Sequence, residues 1–408
     1  MKCRHCQAEV NQSFVDLAAS PPSNAYLTAE ALSIPEKYFP LRVLVCTNCW
    51  LVQTEDFARA EELFRHDYAY FSSISTTWLE HASRYTQMII DRLQLSKNSL
   101  VVEVAANDGY LLKNFVAAGI QCLGIEPTAS TAAVAESLGI PILRQFFGTK
   151  LAQSLSNEGR QADLIVGNNV FAHVPDINDF TIGLRVALKP EGCITLEFPH
   201  LMRLLEHNQF DTIYHEHFSY FSLHTVDRIF SANGLRIWDV EELATHGGSL
   251  RIYGCHASDR RSTSSTVTNL MAEEARCGLL ELSTYSNFQP RADRIKNDLV
   301  SFLIEKKRLE NSVIGYGAAA KGNTLLNYGG VKTDLLPYVC DAAPSKQNKF
   351  LPGSRIPVLH PSEIRRHRPD YVLILPWNIA DEVISHHSYV REWGAKFVVA
   401  VPRLREIT

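Results

Sequence analysis

From residue 77 onward, short apolar runs alternate with longer amphipathic stretches, and this alternation restricts the chain to few architectures. The runs Leu100–Val104, Gln121–Ile125, 163–166 and 193–198 read as strands, and residues 77–95 repeat apolar positions at helical spacing. Such a pattern predicts an α/β fold with a parallel sheet covered by helices. Residues 247–256 predict a late strand closing this unit. A helical region over 262–311 follows, opened by a Ser/Thr-rich linker at 260–268. A second α/β pattern then has strands expected at 312–315, 336–341, 371–375 and 396–401. At 408 residues the chain is too long for one core, since cores stop growing near ~250–300 residues. Three units are expected: 1–72, 73–258 and 259–408.

Residues 1–72 carry little helical periodicity outside 57–64 and read as a compact, loop-rich module. Cys3, Cys6, Cys46 and Cys49 form two CxxC pairs there, and each knuckle can turn both sulfurs toward one tetrahedral ion. Four unligated thiols are the plain alternative, and His5 can substitute for one sulfur. A four-sulfur site leaves no coordination position open, so the expected zinc is structural. Nine cysteines in so long a chain, five of them scattered, do not form a secreted disulfide framework.

A net charge of -4 without a basic stripe gives no electrostatic reason to bind nucleic acid or an anionic membrane. The N-terminus has no apolar h-region, and no uncharged run approaches the ~20 residues of a membrane span. A cytoplasmic protein with small-molecule partners is expected.

The run Leu100–Val104 leads into Glu103-Val-Ala-Ala-Asn-Asp-Gly109 and then a helix, a turn that lets backbone amides approach a ligand at the carboxyl end of a sheet. Glu126 ends the next strand, where an acidic side chain can accept from ribose hydroxyls. An acid-x-small-x-x-x-Gly turn resembles the cofactor motif of class I methyltransferases, with Ala105 where many have glycine. That resemblance assigns Glu103, Ala105, Asn107, Gly109 and Glu126 to S-adenosylmethionine, with Asn168 and Asn169 lining the same cleft. A doubly wound domain for another nucleotide is the competing reading.

The segment Tyr214-His-Glu-His-Phe-Ser-Tyr220 holds acid/base groups beyond the fifth strand. Histidine can take a proton from carbon beside a ketone, while tyrosine and carboxyl groups can hydrogen-bond an enolate or orient the base. Metal ligation by His215, Glu216 and His217, and a plain polar surface, compete with this reading. His173 lies just past another strand end and is either a structural histidine or part of the same site.

These motifs, with Tyr68-Ala-Tyr70, His246-Gly-Gly-Ser-Leu-Arg251 and Gly315-Tyr-Gly-Ala-Ala-Ala-Lys321, resemble over essentially the whole chain the sugar C-methyltransferases that act on nucleotide-linked 4-keto-deoxysugars. The resemblance implies a small N-terminal zinc module, a class I methyltransferase Rossmann-like domain and a second Rossmann-like C-terminal domain that helps bind the sugar nucleotide, in a monomer or weak dimer. It implies His217 as general base, with Tyr214, Glu216, His173 and Tyr70 in the active site. Methylation would fall at C3 or C5 through an enolate. Tyr68, His246, Gly315, Gly317 and Lys321 are the substrate-binding candidates. The glycine-rich turn at 315–321, with Asp341 about 20 residues on, has the form of a pyrophosphate-binding turn, or of a structural turn in a domain that has lost its cofactor. A reductase using NAD and a zinc-bearing metabolite sensor are the alternative functions. The Glu103 loop with Glu126 opposes the first, and the charge balance opposes a nucleic-acid regulator.

Overall fold

The computed structural model describes residues 1–57 and 71–407; Tyr68, Tyr70 and most of the 57–64 stretch lie outside them. Its strands form three sheets. The middle sheet is built from β4 (Leu100–Val104), β5 (Gln121–Ile125), β6 (Ile142–Leu143), β7 (Ala162–Asn168), β8 (Leu188–Pro199), β10 (Leu235–Leu243) and β11 (Ser249–His256), in the order β10-β11-β8-β7-β4-β5-β6. The strands from β4 to β8 pair in parallel, while β11 runs antiparallel to β8 and β10 to β11. β5 and β6 lie to one side of β4, and β7 and β8 to the other. The switch point, where such sheets bind ligands, is therefore the crevice beyond the carboxyl ends of β4 and β7.

The expected loop-rich module contains instead a sheet of β1 (Gln12–Ser20), β2 (Phe39–Val45), β3 (Val52–Thr54) and β9 (Ser219–Tyr220), ordered β1-β2-β3-β9 and antiparallel throughout. Leu41, Val43 and Val45 of β2 turn inward while Arg42 turns out, the period-2 pattern of a half-buried strand. β9 belongs to the Tyr214–Tyr220 segment, and Val52 pairs with Tyr220 and Gln53 with Ser219. The segment carrying the acid/base cluster thus forms the edge of the cysteine module's sheet.

The C-terminal sheet has the order β14-β13-β12-β15-β16-β17, from β12 (Val313–Tyr316), β13 (Val339–Cys340), β14 (Val358–Leu359), β15 (Tyr371–Ile374), β16 (Lys396–Val399) and β17 (Arg405–Ile407), parallel except for β17. The helix Gln289–Arg308 leads into it, with proline near its start and Lys306, Lys307 and Arg308 in its last turn, where cations complement the helix dipole.

One apolar cluster runs through all three units. Phe14 of β1 stacks on Phe288 at 4.5 Å between ring centroids. Asn323 Nδ2 donates to the Ser23 carbonyl (2.7 Å), and Trp377 Nε1 donates to Asp211 Oδ2 (2.7 Å), so the C-terminal unit is tied to both others. Among the described residues no helix is long and apolar enough to cross a membrane.

Candidate functional site

A cavity of about 590 Å³ opens at the switch point and is walled by all three units. The loop after β4 forms its floor. Ala105, Asn107 and Gly109 all have positive φ (59°, 49° and 78°), which turns the loop tightly below the cavity. A Cβ on Gly109 would lie 2.6 Å from Ile140 Cδ1 and 3.2 Å from Ala135 Cα, so the turn packs too closely for a side chain. Glu126, at the end of β5, lines the cavity; its Oε2 accepts from Asn107 N (3.0 Å) and its Oε1 from Thr128 N (2.8 Å). The carboxylate is thus fixed by two backbone amides and faces the cavity from below.

Ala105, Asn107, Asn168 and Asn169 also line the cavity, whereas Glu103 and Gly109 lie behind it. Burial pushes the Glu103 carboxyl well above its ordinary range, with Tyr110 opposing as a hydrogen-bond partner. Asn168 Nδ2 donates to the Tyr110 hydroxyl (3.2 Å), and Asn169 Nδ2 lies 3.1 Å from His246 Nε2. Asn169 Oδ1 is buried without a partner among the described residues. A fixed carboxylate, a tight small-residue turn and this amide oxygen suit a polar ligand carrying hydroxyl and amino groups.

Across the cavity stand His173, Tyr214, His217 and His246. His217 Nδ1 lies 2.9 Å from the Thr212 carbonyl and His173 Nδ1 lies 2.6 Å from the Glu216 carbonyl. A carbonyl only accepts, so each Nδ1 carries the proton and each neutral ring keeps its lone pair on Nε2. The Tyr214 and His173 rings pack on His217, at 4.0 Å and 4.8 Å between centroids. Burial, reinforced by His173, His246 and Lys321, holds His217 well below the usual imidazole range; burial likewise takes His173 and His246 down to about 4. All three are neutral at physiological pH.

His215 and Glu216 of the Tyr214 segment point elsewhere. His215 Nε2 donates to the Phe39 and Pro40 carbonyls (3.2 and 3.3 Å). Glu216 Oε1 accepts from Asn24 N and Nδ2 (3.3 and 3.2 Å), and burial raises its pKa. Neither lines the cavity.

The C-terminal unit supplies Lys321, Lys346 and Asn378. Lys321 Nζ donates to Asn378 Oδ1 (2.6 Å) and lies 4.6 Å from the Trp377 ring centroid; burial lowers its pKa to about 8 against the pull of Asp211. Gly315 and Gly317 do not line the cavity. Gly315 packs on Val339, and a side chain on Gly317 (φ 88°) would overlap Pro376. Asp341 Oδ2 accepts from Ala318 N (2.7 Å) and its Oδ1 from Ala343 N (2.7 Å), while the Ala318 carbonyl accepts from the Tyr26 hydroxyl and from Lys346 Nζ. The glycine-rich turn is closed by its own chain, which opposes a dinucleotide there.

Asn24, Trp78, Gln145, Phe147 and Lys346 also line the cavity but carry no sequence signal of a site. Trp78 stands in the first turn of the helix Thr76–Leu93, capped by Ser75, and reads from sequence as packing.

Away from the cavity, the Sγ atoms of Cys3, Cys6, Cys46 and Cys49 lie within 4.8 Å of one another, with Cys3–Cys49 at 3.5 Å and Cys6–Cys46 at 3.6 Å. A tetrahedron of Zn–S bonds near 2.3 Å has edges of about 3.8 Å, so the four sulfurs fit zinc. His5 is not part of the cluster; its Nδ1 meets Asn178 Oδ1 at 3.0 Å.

A family model described as "Methyltransferase domain" matches residues 78–240, one described as "C-methyltransferase C-terminal domain" matches 244–402, and one described as "Putative zinc binding domain" matches 3–64. The C-methyltransferase NovU of Streptomyces niveus is 34% identical over 407 residues, covering 100% of this chain and 97% of that protein. Among solved structures, a SAM-dependent methyltransferase from Anabaena variabilis has 15% identity and a TM-score of 0.38 over 49% of this chain and 96% of its own. The magnesium protoporphyrin IX methyltransferase of Synechocystis with bound SAM has 14% identity and a TM-score of 0.33 over 44% of this chain and 81% of its own.

Proposed function

We infer that this chain, which belongs to the C-methyltransferase family and depends on S-adenosylmethionine, methylates the carbon beside the keto group of a nucleotide-linked 4-keto-deoxysugar, at C3 or C5. The observation that carries the reading is a neutral imidazole, His217, whose Nδ1–H is committed to the Thr212 carbonyl and which lines the same cavity as Glu126.

S-adenosylmethionine, when bound, supplies an electrophilic methyl group on a sulfonium. Glu126 would hold its ribose hydroxyls, and the Ala105–Asn107 loop with Asn168 and Asn169 would hold the amino-acid end. A C–H bond beside a ketone is not a nucleophile until it loses its proton. His217 Nε2 takes that proton, the C–H electron pair becomes a double bond to the carbonyl carbon, and the C=O π pair moves onto oxygen to form the enolate. The neutral ring is available at pH 7 because burial disfavours its cation, and Tyr214 and His173 keep it from rotating. Tyr214 and Lys321 are the groups that can meet the enolate oxygen; Glu216 acts through Asn24 rather than on the sugar. Tyr70 and Tyr68 remain candidates from the family resemblance alone.

Lys346 on the C-terminal wall suits the diphosphate of a sugar nucleotide, and His246 suits a sugar hydroxyl. Incubation with methyl-labelled S-adenosylmethionine and a panel of nucleotide-linked 4-keto-6-deoxyhexoses tests the reading. A labelled product heavier by one CH₂, with the label on ring carbon by NMR, supports it. Label on oxygen or nitrogen sinks it.

A further inference from the structure

We propose that Arg4, inside the first cysteine knuckle, is a positioning residue that fixes the two histidine-bearing segments of the cavity against each other, so that closure of the four-cysteine site sets the geometry at His217 and His173. The inference rests on the reading of His217 as the base.

Arg4 stands between Cys3 and His5, and its side chain is 5% exposed. All five guanidinium N–H groups are engaged. Nε donates to the Phe218 carbonyl (3.3 Å); Nη1 donates to the Pro175 carbonyl (3.4 Å) and Asp56 Oδ2 (2.9 Å); Nη2 donates to the Thr54 carbonyl (2.9 Å) and to Asp56 Oδ1. The guanidinium also lies 5.0 Å from the centroid of the Phe218 ring. Phe218 follows His217, and Pro175 is two residues beyond His173. One planar cation therefore bridges the backbones that carry the two imidazoles, a role its fixed fork of donors suits and an ammonium cannot copy.

The neighbouring bonds run the same way. Thr54 Oγ1 donates to the His217 carbonyl (2.9 Å), and Phe218 N donates to the Ala172 carbonyl (2.7 Å). Asn178 Nδ2 donates to the Arg4 and His5 carbonyls (3.3 and 2.9 Å). Gln53 accepts from Arg4 N (3.0 Å) and donates to Cys3 Sγ (3.3 Å), linking the sulfur cluster to β3 and, through Gln53 and Ser219, to β9. A knuckle opened by loss of its ion would carry the Arg4 backbone with it. Among the described residues, the hydrogen-bond partners of Arg4 do not include the Glu126 loop, so cofactor binding is expected to be independent of this bridge.

The test uses the full chain with Arg4→Lys and Arg4→Ala, each assayed for zinc content, for binding of S-adenosylhomocysteine and by long-range imidazole ¹H–¹⁵N spectra of ¹⁵N-histidine protein, assigned with His217→Asn and His173→Asn. Arg4→Lys should keep its zinc and near-wild-type S-adenosylhomocysteine affinity, while the His217 and His173 signals leave the Nδ1–H tautomer pattern. Methyl transfer should fall by up to ~10²-fold, the scale of a misplaced catalytic group. Wild-type protein stripped of zinc by chelation should show the same change in the two imidazoles. Unchanged imidazole signals in both Arg4 variants overturn the proposal. So does loss of zinc, S-adenosylhomocysteine binding and imidazole signals together in both variants, which would make Arg4 a folding residue only. Full turnover by His217→Asn, with imidazoles that still respond to Arg4 substitution, would instead remove His217 as the base and leave the bridge standing.

Discussion

Replacing Glu126 probes the cofactor end of the cavity. Its two oxygens accept from Asn107 N and Thr128 N at 3.0 and 2.8 Å, and the residue is 5% exposed. In Glu126→Gln one oxygen becomes an NH₂ that confronts a backbone N–H, so one buried donor loses its acceptor at a cost of about 1–3 kcal/mol. That cost falls on the loop and lowers folding stability. The missing charge also weakens hydrogen bonds from the ribose hydroxyls, and bonds to a charged group contribute about 1.5–3 kcal/mol. At 1.4 kcal/mol per decade, S-adenosylhomocysteine should bind ~10–150-fold more weakly. Isothermal titration calorimetry with denaturant melts separates the two effects. A Kd within a few-fold of wild type, in a variant that folds, would remove Glu126 from the site.

Because burial holds His217 well below the imidazole range, kcat/KM should show no acid limb near pH 6.5; a limb there that disappears in His217→Asn would contradict the burial-lowered pKa while marking His217 as the titrating base. Lys321, lowered from 10.5 to about 8, binds fewer protons folded than unfolded between those values. Its burial penalty therefore applies below about pH 8 and fades as pH rises toward 10.5, and Lys321→Met should lose this rising component of stability in pH-dependent melts. Gly317→Ala should destabilise by about 2–4 kcal/mol, from a left-handed backbone at φ 88° and overlap with Pro376, without weakening S-adenosylhomocysteine binding; an unchanged melt would refute that packing.

β4 and β5 fall on the residues expected, because each is a short, mostly apolar run, and β5 is followed at once by Glu126 beside the crevice. The four-sulfur cluster was legible for the same kind of reason, since the spacing of each knuckle is local. The first sheet was not legible. β1 is interrupted by a register shift with Ala18 at φ 61°, and its fourth strand, β9, comes from residues far along the chain. Arg4 and Asn24 were invisible because a cation beside a cysteine and an asparagine after two prolines both read as surface. The glycine-rich turn left two readings open, a pyrophosphate cradle and a structural turn. Its spacing is that of a phosphate loop, yet Asp341, Tyr26 and Lys346 occupy its backbone groups, and only tertiary structure brings those three together.

The most direct test of the central claim follows the transferred methyl group and the rate of its transfer. With a nucleotide-linked 4-keto-6-deoxyhexose and methyl-labelled S-adenosylmethionine, wild type should give a product carrying the label on the carbon beside the keto group. His217→Asn should lower kcat by ~10²–10⁴-fold, the worth of a placed general base, with S-adenosylhomocysteine affinity little changed. Undiminished carbon methylation by His217→Asn, or label found on a heteroatom of the wild-type product, would contradict it.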